Sequence, residues 1–430
     1  MSRNFRTWCP CVLVLLGAAC SEPRAVTGPE SNASAAEASS QKNGPTAAQG
    51  AFHRFVSIGT SISMGWQSDG AIAASQLESW TAQLARLAGR EQTLPLLSLP
   101  GCRSPLKAPL SSGVRLSGEA AGAPAATLNC APLEEGLTVP AQNVAISAAK
   151  TFEALHTTPE TQFDGFYRKL YPRILPPHTT QLQAAIQQKP KFISVELGAN
   201  DIFDARSGIA IVGATITPFP QWASMYATLV DEVAANVRQG ILVSLLNDAA
   251  TFPSFRRGAE IAADRATMLA AFHVNVLADC NASPNLVFVP VRIPTVIAAG
   301  LRARAQLLPA VPFSCTGGGP TVRDFVLTPS EVAIVNGQLA QMNAYIEAQA
   351  DKHGFAVVPL EVLYGRANLK PPFSSVQLMR SMQPYGPLMS LDGIHPNGAG
   401  HAIIAAAAAS AISAHYGMRF PSAPALIAGQ

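Results

Sequence analysis

Short apolar runs alternate with stretches in which apolar residues recur every three to four positions, the signature of strands interleaved with amphipathic helices. Phe55-Val56-Ser57-Ile58 is the first run and stops at Gly59. Trp80, Leu84 and Leu87 then share one helical face. Residues 94–99 read as a second strand, and 143–149 as a strand-like approach to a turn. Leu182, Ala185 and Ile186 give residues 179–188 an apolar face, and the buried-type strand 190–197 follows. A helix over 222–237 leads to a strand over 240–246, a helical stretch over 259–279 and a strand-like run over 286–291. Thr328-Pro329-Ser330-Glu331 is a capping box with proline at the first helical position. The helix it opens shows Val335, Leu339, Met342 and Ile346 on one face and ends near Gly354. A strand over 355–360, a loop over 371–387 and an Ala-rich helix over 399–415 close the pattern.

Strands alternating with helices predict a parallel sheet covered on both faces, an α/β fold with three layers. No internal repeat interrupts it. The excess length lies in two irregular insertions, 100–140 and 293–325. Upstream, Arg3 and Arg6 precede a short apolar run from Val12 to Ala19, which predicts a signal peptide over 1–19. Gly17-Ala18-Ala19 before Cys20 resembles a bacterial lipoprotein signal, with Cys20 as the lipid anchor; cleavage after Ala19 without lipidation is the competing reading. Residues 20–50 are rich in Ser, Ala, Glu, Gly and Pro and predict a disordered tether. The catalytic-size domain then spans 51–418, with a tail at 419–430.

Composition narrows the setting. Hydrophobic residues make up 48% and charged residues only 13% of the 430-residue chain, and there are 34 prolines. That balance suits an exported protein with long ordered loops. A formal charge of +3 and the lack of a Lys/Arg cluster exclude nucleic acid as an expected partner. Of the seven cysteines, Cys9 and Cys11 lie in the signal segment and Cys20 is the candidate anchor. Proximity pairs the rest as Cys102–Cys130 and Cys280–Cys315, each closing a loop in an oxidising compartment. A zinc site is the weaker alternative, because no two of the four have the close spacing of zinc ligands.

Three turns carry candidate chemistry: Gly59-Thr60-Ser61-Ile62-Ser63, Gly198-Ala199-Asn200-Asp201 and Asp392-Gly393-Ile394-His395. The first two follow strands directly, where open α/β sheets place their sites. A serine is unreactive at neutral pH without a base, and a histidine three residues after an aspartate supplies a base with its orienting acid. Taken singly, Ser61 would read as a helix cap, Asn200 as a turn residue and His395 as an ordinary histidine. Together and in this order they read as one site.

Gly-x-Asn-Asp after an apolar strand and Asp-x-x-His-Pro near the C-terminus resemble the SGNH hydrolases, also called the GDSL esterase/lipase family. The resemblance covers roughly residues 52–417. It implies a flavodoxin-like α/β/α sheet with Ser61 as nucleophile, His395 as base and Asp392 as its partner. It also implies an oxyanion hole built from Asn200, the Ser61 N–H and a third donor. The second block places Ala148 at that position where the family usually carries glycine, with Gly101 as the rival. The first block departs too, with Thr60 where the family has aspartate. Ser63 is a rival nucleophile, His401 a rival base, and Asp201 a structural turn residue. Trp66, Gln67 and Phe203 are candidates for the acyl pocket. No HExxH, phosphate-loop or GxGxxG signature appears, so no metal and no cofactor is expected.

The expectation is a serine esterase or lipase hydrolysing a small-molecule or lipid ester, anchored in the bacterial cell envelope through its lipidated N-terminus. The alternatives are a carbohydrate O-deacetylase and a binding lipoprotein that keeps the fold without catalysis.

Overall fold

A computed structural model describes residues 46–421. The signal segment, Cys20 and residues 422–430 lie outside the described residues. The end of the span read as tether is helical: Thr46 caps the helix Ala47–Ala51, which buries Ala48 and Ala51. At the other end, Phe420 packs edge-on against Phe52.

Among the described residues, nine strands form in chain order: β1 (Phe55–Ile58), β2 (Phe192–Val195), β3 (Gly240–Ser244), β4 (Phe255–Arg257), β5 (Val274–Val276), β6 (Leu286–Phe288), β7 (Val311–Phe313), β8 (Val326–Leu327) and β9 (Ala356–Pro359). The main sheet has the order β1-β2-β3-β9, with every pair parallel. Beyond β1, Asn143 forms a parallel bridge to Ser57, and the amides of Val144 and Ile146 donate to Ser57 and Gly59 carbonyls. With that segment as a fifth member, the order is that of the flavodoxin-like doubly wound sheet. β1, β2 and β3 are buried along their whole length, as a parallel sheet covered on both faces requires.

Helices cover both faces. Trp80–Leu87 packs on Gly398–Tyr416, which also lies on β9. Phe219–Asn236 packs on Pro329–His353, which lies on β3. Small alanine side chains let the final helix approach the sheet closely. Trp222 and Tyr226 stack with ring centroids 4.8 Å apart in the core beneath the other face. Burying side chains of this size contributes roughly 1.5–3 kcal/mol each. The long helix starts as the sequence predicts, on the Thr328–Glu331 capping box, and ends on a left-handed Gly354.

Several expectations need correction. Residues 94–99 form no strand; Pro95 lacks an N–H, and only Leu97 makes an isolated bridge, to Leu133. The helical run 259–279 breaks into Gly258–Ala263 and Arg265–Phe272, stopped by His273 in the left-handed region, and β5 follows. Residues 286–291 are half strand, half helix: β6 joins the antiparallel sheet β4-β6-β8 rather than the main one, and a helix begins at Val289. That helix, Val289–Ala305, occupies much of the span read as an irregular second insertion. Pro290 sits in its first turn, where a missing N–H costs little, whereas Pro294 lies inside the helix and forgoes one backbone hydrogen bond. The first insertion stays irregular, with only the short turns Leu110–Ser112 and Ala125–Thr127. Both cysteine pairs are joined as expected, Cys102–Cys130 and Cys280–Cys315.

Candidate active site

Ser61 stands just past the C-terminal end of β1, as the first residue of the short helix Ser61–Met64. The helix cap is Thr60, yet the Thr60 side chain does not cap. Its hydroxyl donates instead to Glu196, at 2.7 Å to Oε1, and its amide donates to Glu196 Oε2 at 2.9 Å. The Ser63 amide donates to the same oxygen at 3.2 Å. Glu196 follows β2 directly and is fully buried. Burial pushes its carboxyl up, and the donors from Thr60 and Ser63 offset part of that rise. The departure at Thr60 therefore has a partner in space: a carboxylate from the neighbouring strand holds the Ser61 turn.

Ser61 is left free to turn its hydroxyl outward. Its Oγ lies 2.9 Å from His395 Nε2, and His395 Nδ1 lies 2.8 Å from Asp392 Oδ2. Asp392 Oδ1 accepts from the amides of Ile394 and His395 and from the Ser390 hydroxyl. Burial alone would push the Asp392 carboxyl up. The facing His395 and these hydrogen bonds outweigh it and hold the group at about 2. Gly393 makes the loop possible: its φ is +67°, and any side chain there would meet the Tyr385 ring at 2.6 Å. The arrangement can pass a proton from Ser61 Oγ to a histidine whose tautomer is fixed by an ionised carboxylate.

Asn200 enters from the turn after β2. Gly198, with φ +118°, makes that turn. One amide hydrogen of Asn200 Nδ2 donates to the Ala149 carbonyl at 3.1 Å, leaving the other directed elsewhere. Asp201 is structural, as expected: it is buried and accepts from the Thr151 amide and the hydroxyls of Thr151 and Thr217. That binds the turn carrying Asn200 to the segment just after Ala148. Ala148 has φ +61° and lines the same cleft as Ser61, Asn200 and His395. Among the described residues, the amides of Ser61 and Ala148 have no protein acceptor. Gly101 is excluded as their companion: its N–H is spent on the Ser98 carbonyl, and it does not line the cleft.

The cleft holds about 510 Å³. Leu106, Leu110 and Ala121 of the first insertion form part of its wall, and Phe288, Val291 and Pro294 another part. Trp66 and Phe203 line it as expected; Gln67 does not, and bonds to Glu78 instead. Ser63 is fully buried and accepts from Trp80 Nε1, which removes it as a nucleophile. His401 is also fully buried, and both ring nitrogens lack partners among the described residues. Burial, with His395 nearby, pushes its imidazole down to about 3.

Sequence reasoning missed the polar side of the cleft. Asp69, Arg103, Lys150, Tyr167, Asp204 and Arg206 all line it. Asp204 pairs with Lys150 at 3.0 Å and Arg206 at 3.7 Å, and Asp69 with Arg103 at 2.7 Å. A signal existed in part: Lys150 and Asp204 each lie within four residues of a block residue, Ala148 and Asn200. Nothing in the order of residues joins Asp69 to Arg103.

A family model described as GDSL-like Lipase/Acylhydrolase matches residues 56–408. No functionally curated protein matches the chain. Among solved structures, an alpha/beta hydrolase, LAE5, from the metagenome of Lake Arreo, Spain, is 13% identical, with 84% of this chain and 94% of that one covered and a TM-score of 0.34. Axe2, an acetylxylan esterase from Geobacillus stearothermophilus, is 12% identical, with 83% and 93% covered and a TM-score of 0.34. A putative GDSL-like lipase from Parabacteroides merdae is 9% identical, with 84% and 94% covered and a TM-score of 0.33. These likenesses are distant, and the assignment rests on the sequence match. Since that match spans most of the chain and contains Ser61, Ala148, Asn200 and His395, the chain belongs to the GDSL-like lipase/acylhydrolase family and is a serine ester hydrolase.

Proposed function

We propose that the chain hydrolyses carboxylic esters of lipid-like or small acyl substrates through an acyl-enzyme on Ser61. The observation that carries this reading is the unbroken line Ser61 Oγ–His395 Nε2 and His395 Nδ1–Asp392 Oδ2, at 2.9 and 2.8 Å, beside a cleft with two apolar walls and one polar side. Ser61 Oγ attacks the ester carbonyl while His395 Nε2 takes its proton. The negative charge that develops on the carbonyl oxygen is met by the amides of Ser61 and Ala148 and by Asn200 Nδ2. His395 then returns the proton to the departing alcohol. Water attacks the acyl-enzyme as His395 accepts its proton, and His395 then returns that proton to Ser61 Oγ as the acyl C–O bond breaks and the acid leaves. Each oxyanion donor typically contributes about 2.7–4 kcal/mol to the transition state.

The apolar walls contributed by the first insertion and by the helix Val289–Ala305 favour an acyl chain over a polar acid. Labelling with a fluorophosphonate, followed by a panel of p-nitrophenyl esters, tests the reading. Labelling that is lost in Ser61→Ala supports it. A folded protein that never labels at Ser61 sinks it and favours a binding lipoprotein on the same fold.

The reading also includes export and anchoring at the bacterial envelope through Cys20. The two disulfides, which persist in oxidising compartments, support export. Metabolic incorporation of a fatty-acid alkyne should be abolished by Cys20→Ser; incorporation that survives this change overturns the anchor.

A further inference from the structure

We infer that Asp69, clamped by Arg103 and Arg115, is a positioning residue for Asp392, so that the first disulfide-stapled insertion helps to set the geometry of the hydrolytic site; the inference rests on the reading of Ser61, Asp392 and His395 given above. Asp392 Oδ2 accepts two hydrogen bonds. One comes from His395 Nδ1, and the other from the Asp69 amide at 2.6 Å. The second donor arrives from 323 residues away in the chain.

That amide is aimed by a tight turn. Gln67 and Gly70 exchange both backbone hydrogen bonds, at 2.8 and 3.1 Å, with Ser68 and Asp69 between them. Both central residues are left-handed, at φ +54° and +56°, and neither is glycine. Such a turn ordinarily calls for glycine or asparagine, so the surroundings must hold it. Ser68 is fixed to the His395 loop from both sides: its amide donates to Ser390 Oγ at 2.8 Å, and its hydroxyl accepts from the Leu391 amide at 3.2 Å.

Asp69 is fixed by the insertion. Arg103 donates to Oδ1 at 2.7 Å and Arg115 to Oδ2 at 2.6 Å. Arg115 also reaches the carbonyls of Asp69 and Ser104, at 3.0 and 2.8 Å, and is nearly fully buried. The backbone joins in: the Ala71 amide donates to the Arg103 carbonyl, the Cys102 amide to the Ala71 carbonyl, and the Leu106 amide to the Ser68 carbonyl. Cys102, bonded to Cys130, adjoins Arg103. A continuous set of contacts thus runs from the disulfide through Arg103 and Arg115 to Asp69, and from its amide to the carboxylate beside His395. Loss of the clamp frees the turn, withdraws a donor from Asp392 Oδ2 and loosens the imidazole that must face Ser61. Misplacement of this kind, by about 1 Å, costs on the order of 100-fold in rate.

The test uses the full chain and p-nitrophenyl acetate, an ester too small to span the cleft. Asp69→Ala and Arg103→Gln are compared with wild type for kcat, KM and the low-field proton resonance of the His395–Asp392 hydrogen bond. The expected result is a kcat lowered about 10- to 100-fold for Asp69→Ala and several-fold for Arg103→Gln, with KM little changed and the resonance displaced. If Asp69→Ala does not fold, Arg103→Gln decides alone, since Arg115 still holds Asp69. A wild-type kcat with an undisplaced resonance in a folded variant overturns the inference. So does a change confined to KM, which would make Asp69 a substrate contact. Fluorophosphonate labelling of wild type separates the two readings: no label at Ser61 fails the hydrolase reading, whereas normal label with indifferent Asp69 and Arg103 variants fails only this one.

Discussion

The two disulfide-stapled regions look alike in sequence and differ in what they touch. The loop closed by Cys102–Cys130 has almost no regular structure, yet its arginines grip the turn that donates to Asp392. The region closed by Cys280–Cys315 contains the helix Val289–Ala305 and the strand β7, and it meets the cleft through Phe288, Val291 and Pro294 on a side wall. Both regions wall the cleft, but only the irregular segment is also coupled to the reacting groups. Regularity is thus a poor guide to function here: a loop free of a hydrogen-bond ladder can spend its polar groups on a neighbouring site.

The largest expected effect fixes the scale of that contrast. Asp392→Asn should lower kcat by about 10⁴-fold while leaving the fold intact, because it leaves His395 in the wrong tautomer. Steady-state kinetics with a short ester measures it, and a loss below tenfold would detach Asp392 from the mechanism. The disulfides then divide the two regions. Cys102→Ser with Cys130→Ser should cut kcat by about 10- to 100-fold, by loosening the Asp69 clamp. Cys280→Ser with Cys315→Ser should cost about 2–4 kcal/mol of stability and leave kcat for the short ester near wild type. Equal effects of both pairs on kcat would erase the difference between the regions.

A third change separates folding from catalysis. His401 is held neutral by burial, with its imidazole at about 3 against an ordinary 6.5. The unfolded chain therefore binds a proton between those values that the folded chain refuses. Stability contributed this way is present above about pH 6.5 and is lost as pH falls toward 3. From pH 7 to 5 the loss is about 2 kcal/mol. His401→Met should flatten that part of the urea-unfolding profile without altering kcat at pH 7; an unchanged acid slope would mean that another group sets it.

The smallest effect concerns two left-handed positions. Ala148→Gly should stabilise the protein by about 1 kcal/mol, since alanine is disfavoured at φ +61°, and should keep activity because the amide remains. Gly101→Ala in the first insertion should do the reverse, with a Cβ placed 2.4 Å from the Ala71 carbonyl oxygen. Thermal melts of the two variants test the pair, and a shift in the same direction for both would refute it.

The sheet was legible because its strands are buried on both faces and read as continuous apolar runs, as in β1 and β2. The capping box at Thr328 was legible because its signal is local. Asn200 and the Asp392–His395 loop were legible because each is a short motif on a turn. What stayed hidden was built from pairs distant in sequence. Thr60 looked like a defect until Glu196, 136 residues on, supplied its partner. Asp69 drew no notice, because neither its arginines nor its bond to Asp392 has a local trace. His273 ended a helix that its apolar pattern would have continued, by adopting a left-handed conformation that is uncommon for any residue but glycine.

Glu196 ties the nucleophile's turn to the strand whose next turn bears Asn200. The spacing between attacking oxygen and oxyanion donor is thereby pegged to the spacing of two neighbouring strands. It also makes positions 60 and 196 a single inherited choice. An aspartate at 60 opposite a glutamate at 196 would press two carboxylates together in a dry interior, and a threonine opposite an apolar residue would strand its hydroxyl. Descendants of this chain can therefore change the two positions together far more readily than either alone.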